Sequence, residues 1–176
     1  MPKVLVLFHS RTGRTAALAE AIAEGASSVK FAEVELRRLE NLAPRAADAS
    51  APASRCRALE SVESIADYDA IIVGSPSWYG GMSAEVKHVL DQLGPLSGGR
   101  PLVDKVGSAF STANAAQGGE ETTVQSILVA MMHQGMLIVP PAYGEDVAAA
   151  RSHGARVAKV AEWVRHAKSH EHGHKH

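Results

Sequence analysis

The hydrophobic pattern of the chain switches repeatedly between two periods. Residues 3–8, KVLVLF, form a short unbroken aliphatic and aromatic run, the pattern of a strand covered on both faces. Beyond a polar stretch, Leu18, Ala21, Ile22 and Gly25 recur at helical spacing in the Ala- and Glu-rich segment TAALAEAIAEG, which predicts a helix. In residues 31–39, FAEVELRRL, Ala32, Val34 and Leu36 alternate with Glu33, Glu35 and Arg37, as in a half-exposed strand at a sheet edge. Residues 41–54 are rich in Ala, Pro and Ser and carry no period, so a surface loop is expected there, with a short helix after it.

The alternation then resumes. DAIIVGS (69–75) predicts a second buried strand, and Met82, Val86, Val89, Leu90 and Leu93 mark a helix with one apolar stripe. VGSAFS (106–111) and MLIVP (136–140) are the next strands. Between them Val124, Ile127, Leu128 and Met131 share one helical face, and Val157, Val160, Ala161 and Val164 mark the last helix. Strand and helix thus alternate five times, which implies an α/β fold whose parallel sheet has helices on both faces. With a half-exposed second strand the expected order is 2-1-3-4-5, a flavodoxin-like doubly wound five-stranded sheet. A single domain over residues 1–168 is expected, followed by a disordered His-rich tail, 169–176.

Ligands of such sheets lie beyond the carboxyl ends of the strands, where the strand order reverses. That directs attention to residues 9–15, 75–82 and 111–119. In the first loop Ser10, Thr12 and Thr15 carry hydroxyls, Gly13 permits close backbone approach, and Arg11 or Arg14 can neutralise charge. At a helix start this set suits a phosphate monoester, although the same residues also read as a plain N-cap and turn. Neither a G-x-x-x-x-G-K-[ST] nor a G-x-G-x-x-G motif is present. A cysteine-based phosphatase loop is excluded because Cys56 lies far from the first strand.

The second loop, GSPSWYGGMS (74–83), places Trp78 beside Tyr79 in a chain with only two Trp, three Tyr and three Phe. Such a pair can cover a flat conjugated ring by stacking, with Gly80 and Gly81 admitting backbone to its edge. The alternative is packing on the surface or at a subunit contact. The third, STANAAQGGEE (111–121), offers hydroxyls, an amide and two glycines for the polar rim of a ring, or is an ordinary loop.

Charge and cysteine content narrow the classes. Eighteen Lys and Arg face 19 Asp and Glu, a net charge of −1, so no basic face for nucleic acid is expected. Cys56 cannot form an internal disulfide, and the N-terminal apolar run is too short for a signal peptide or membrane span. A cytoplasmic setting is therefore expected. Cys56 between Arg55 and Arg57 is read as an inert thiol over a redox-sensitive one. The tail HAKSHEHGHKH is read as solvated, with no metal site assigned to it. Adjacent Glu120 and Glu121 point to different helical faces and favour the helix dipole.

Three segments, VLVLFHSRTGRTAALAEAIAEGA, ADYDAIIVGSPSWYGGMSAEVKHVLDQLG and GGEETTVQSILVAMMHQGMLIVPPAYG, together resemble the WrbA family of flavodoxin-like, FMN-dependent NAD(P)H:quinone oxidoreductases, over roughly residues 3–145. The resemblance implies FMN as cofactor, NAD(P)H and a quinone as substrates, and two-electron reduction by ping-pong hydride transfer through the flavin. It implies that Ser10, Arg11, Thr12, Gly13, Arg14 and Thr15 bind the FMN phosphate. Pro76, Ser77, Trp78, Tyr79 and Gly80 would flank the ring. Ser111, Thr112, Ala113, Asn114, Ala115, Ala116, Gln117 and Gly118 would line the ribityl chain and pyrimidine side. His133 would act catalytically and reach the flavin site of a neighbouring subunit in a homodimer or homotetramer. His9, where the family often has tyrosine, would touch the flavin or cap the strand. The chain departs from the family at Gln134, where a second histidine is common, and at Ser97, where tryptophan is common. Two other classes compete with a reductase: a flavodoxin-type electron carrier, which would favour an acidic docking surface, and a flavin-binding regulatory protein, which would need a docking element.

Overall fold

Strand β1 (Lys3–Phe8) is buried on both sides of the sheet because its alternate side chains are apolar on both faces. Val4, Val6 and Phe8 enter one core and Leu5 and Leu7 the other, all essentially without solvent exposure. The computed structural model describes residues 1–43, 56–113, 118–141 and 146–172. Around β1 they form α1 (Arg14–Ser27), β2 (Glu33–Arg38), β3 (Ala70–Pro76), α2 (Ala84–Leu96), β4 (Val106–Thr112), α3 (Glu120–His133), β5 (Leu137–Ile138) and α4 (Val147–His172). The sheet order is β2-β1-β3-β4-β5, with every neighbouring pair parallel. This is the expected doubly wound order.

Helices α1 and α4 cover the face carrying Val6, Phe8, Ile72 and Phe110, while α2 and α3 cover the face carrying Leu7, Ile71, Val73 and Ala109. As its sequence predicts, β2 is an edge strand, with Ala32, Val34 and Leu36 packed inward and Glu33 and Glu35 exposed. A short 3₁₀ turn, Glu63–Asp67, buries Ile65 against the second core. Most of the loop expected at 41–54 lies outside the described residues.

The fifth strand is shorter than MLIVP suggests. Val139 still donates its N–H to Gly107 O (2.9 Å), but its carbonyl is taken by the Ser108 hydroxyl (2.6 Å). Pro140 and Pro141 then supply no N–H, so the ladder stops. Helix α4 starts on Asp146, whose carboxylate accepts the Ala149 N–H (2.6 Å), and continues through His172 into the His-rich segment. Residues 173–176 lie outside the described residues.

Candidate functional site at the carboxyl end of the sheet

Register brings the three loops together. β1 pairs with β3 up to Phe8 and Gly74, and β3 pairs with β4 up to Pro76 and Thr112. The chain therefore leaves β1, β3 and β4 at the same end of the sheet, at residues 9, 77 and 113. Side chains then bind one loop to the next. Thr15, buried at the start of α1, shares a hydrogen bond with the Thr112 hydroxyl (2.8 Å), joining the first loop to the third. Ser77 donates its backbone N–H to Thr112 O (2.7 Å) and its hydroxyl to Gly118 O (2.7 Å), while the Thr123 hydroxyl donates to Ser77 Oγ (3.0 Å). Ser111 donates to Ser75 O (2.9 Å).

The first loop is a turn closed on itself: the Gly13 N–H donates to Ser10 Oγ (3.1 Å). Gly13 occupies the left-handed region, φ 88°, immediately before α1, a conformation that costs a side chain-bearing residue. The ladder of α1 begins at Ala17 N–H to Gly13 O (2.9 Å). The N–H groups before it have no acceptor within the helix and face outward with the positive end of the helix dipole. Thr12 and Arg14 are exposed beside them. That donor set suits a phosphate, and Thr15 contributes as a tie between loops.

Trp78 and Gly81 exchange N–H to O bonds (2.9 and 3.0 Å), closing a tight turn whose central residues, Tyr79 and Gly80, both have positive φ, 53° and 78°. The turn thrusts the Tyr79 side chain completely into solvent and leaves Trp78 about two-fifths exposed. Two aromatic side chains so placed, next to the α1 start, fit a role in covering a ring, and the donor turn fits its phosphate. Pro76 and Gly80 are half-buried, as are Ser111, Thr112, Ala113 and Gly118. Asn114, Ala115, Ala116 and Gln117 lie outside the described residues.

Arg11 does something the sequence does not indicate. Its Nη2 donates to Glu85 Oε1 (2.8 Å), and the other oxygen of Glu85 faces His9 Nδ1 (3.4 Å). The Glu85 carboxylate is 5% exposed and His9 is fully buried. Burial by itself would raise the Glu85 carboxyl, but its own backbone N–H, His9 and Arg11 outweigh that and hold it below its ordinary value. His9 Nε2 meets Asn41 Oδ1 at 2.9 Å, so His9 lies under the first loop, tied to the exit of β2. Sequence reasoning missed Glu85, because a carboxylate in the first turn of a helix reads as a partner for the dipole. Its only signal is adjacency to the loop that carries Trp78 and Tyr79.

His133 ends α3, which starts at the third loop and runs away from it. At 1.5 Å per residue it lies roughly 20 Å from that loop along the helix. Cys56 is partly buried and donates to Leu36 O (2.8 Å). Burial raises its thiol pKa, against the opposing charges of Arg37 and Arg38, which agrees with an inert thiol. Beyond Glu85 a groove of about 350 Å³ opens between the β2 exit and α2. Glu40, Glu60, Glu63 and Glu85 face Arg38 there, chemistry ill suited to a phosphate.

Comparisons with known proteins bear on the family and the fold. Residues 2–150 match the NADPH-dependent FMN reductase family. Over 141 residues the chain is 40% identical to NAD(P)H dehydrogenase (quinone) 3 of Rhizobium meliloti (strain 1021), an alignment that takes in 79% of this chain and 66% of that protein, just under two thirds of its length. Among solved structures it is similar to a flavodoxin, WrbA-like protein from Agrobacterium tumefaciens, with TM-score 0.71, 28% identity and coverage of 93% and 99% of the two chains. The fold is also that of flavodoxin 2 from Bacillus cereus, with TM-score 0.64, 22% identity and coverage of 90% and 98%. From strand order, loop chemistry and these matches, the chain belongs to the NADPH-dependent FMN reductase family and, within it, to the WrbA-like proteins.

Proposed function

We propose that this chain is an FMN-dependent NAD(P)H:quinone oxidoreductase. The observation that carries the reading is the meeting of an anion-suited helix start with an exposed aromatic pair on one interlocked edge of the sheet. Similarity to a protein named NAD(P)H dehydrogenase (quinone) supports the choice of substrates. When bound, FMN would supply the two-electron redox chemistry between NAD(P)H and a quinone.

The chain's own residues bind and orient. The Ser10 and Thr12 hydroxyls and the first N–H groups of α1 receive the phosphate, and the exposed guanidinium of Arg14 neutralises it. Trp78 and Tyr79 cover one edge of the ring and exclude water from it. The Ser77–Gly118 and Thr15–Thr112 bonds hold the flanking loops at fixed separation, so that the two substrates meet the ring in the same orientation. His133 closes the slot from a second copy of the chain. Among the described residues no helix is long and apolar enough to cross a membrane, and we place the enzyme in the cytoplasm, acting on diffusible quinones.

The test is to load the purified chain with FMN and follow NADH and NADPH oxidation with and without benzoquinone. Quinone-dependent oxidation with parallel-line, ping-pong kinetics is expected. Flavin binding without NAD(P)H turnover would point to an electron carrier instead, and no flavin uptake would sink the reading.

A further inference from the structure

We propose that Glu85 is the positioning residue of the phosphate turn, so that preference for FMN over riboflavin is set from the first turn of α2. The inference rests on the assignment of residues 10–15 to the phosphate. Both neighbours of Ser10 in sequence, His9 and Arg11, direct their side chains at one buried carboxylate, at 3.4 and 2.8 Å. Ser10 in turn closes the loop by accepting the Gly13 N–H (3.1 Å). The backbone of residue 9 is anchored independently, by its N–H to Gly74 O (3.1 Å), and its ring by Asn41 (2.9 Å). Glu85 therefore holds the turn through the Arg11 hydrogen bond on one side of Ser10, while on the other side its second oxygen lies close to the anchored His9 ring.

The pairing also redefines Arg11. Its side chain is only 12% exposed, and its guanidinium is held by Glu85, so it braces the turn and leaves neutralisation of the phosphate to Arg14 and the helix start. Without Glu85, Arg11 loses the carboxylate it donates to at a place only 12% exposed, a costly change, and the turn must shift to relieve it. Such a shift moves the donors for the phosphate and leaves the ring-covering turn at 78–81, closed by its own bonds, in place.

The experiment compares dissociation constants for FMN and for riboflavin, by quenching of flavin fluorescence, in the full chain and in Glu85→Gln, Arg11→Met and the double variant. Each single change is expected to lower the FMN-over-riboflavin preference by about tenfold while riboflavin affinity stays within about threefold, and the double variant is expected to be no worse than either single, as for residues acting as one unit. Glu85→Asp, which keeps the charge at shorter reach, should retain part of the preference; it is also the variant to use if Glu85→Gln does not fold. An unchanged preference in Glu85→Gln, tighter FMN binding, equal loss of both flavins, or additive losses in the double variant would each overturn the proposal. Thr12→Val serves as the control: if it leaves the preference intact, the assignment of the turn fails and the inference with it. If Thr12→Val lowers the preference and Glu85→Gln does not, only the inference fails.

Discussion

His153, on α4, is buried with its Nε2 3.0 Å from Ser108 Oγ. Ser108 already donates its own proton to Val139 O, so His153 must be the donor, with the proton on Nε2. Nδ1 has no hydrogen-bond partner among the described residues. Burial, with a smaller effect from Arg156, lowers the imidazole pKa from 6.5 to about 4. The unfolded chain therefore takes up this proton near pH 6.5 and the folded chain only near pH 4. Stability from this group is complete above about pH 6.5 and falls by about 3 kcal/mol as the pH drops toward 4. Urea unfolding at pH 7.5 and 4.5 should show that loss, and His153→Gln should remove most of it. Tyr79 carries the opposite trade. Its left-handed backbone, φ 53°, costs about 1 kcal/mol that glycine would not incur. Tyr79→Gly is expected to raise the stability of the flavin-free chain by about that amount and to weaken FMN and riboflavin alike.

Two helices are joined by contact too close for side chains. A Cβ on Gly154 of α4 would lie 1.9 Å from Ile22 O on α1, and a Cβ on Gly25 of α1 would lie 1.9 Å from Arg151 O on α4. Neither neighbour is a side chain that can rotate away. Gly154→Ala is expected to cost about 3 kcal/mol or more, read as a lower urea midpoint at unchanged slope. Since α1 carries the proposed phosphate turn at its start, part of that strain is expected to appear as weaker FMN binding. Most elements were legible in the sequence because each repeats one period: the unbroken run of β1, the alternation of β2, the stripes of α2 and α3. β5 was not, because its length depends on where Ser108 and two prolines end the ladder.

For the whole molecule, the hydrogen bonds Thr15–Thr112 and Ser77–Gly118 tie strand ends and loops together, and flavin binding to them is expected to stabilise the folded state. At FMN a hundredfold above its dissociation constant the gain is about 2.7 kcal/mol. A scanning thermal unfolding series should show the midpoint rising with the logarithm of FMN concentration. A midpoint indifferent to FMN would count against the proposed site. His133 belongs to this scale as well, since the part proposed for it rests on a second copy of the chain.

Sequence alone determined the alternation of strand and helix, the strand order that follows from a half-exposed second strand, and the three loops that share one end of the sheet. Those features are local: periodicity and turn chemistry are written within a few residues of one another. What each polar side chain does at that end was decided by tertiary structure. Thr15 and Thr112 stand 97 positions apart, and Arg11 and Glu85 stand 74 apart. No periodicity connects them. Only the parallel register of β1, β3 and β4 brings them within hydrogen-bonding distance, turning one hydroxyl into a tie and one arginine into a brace.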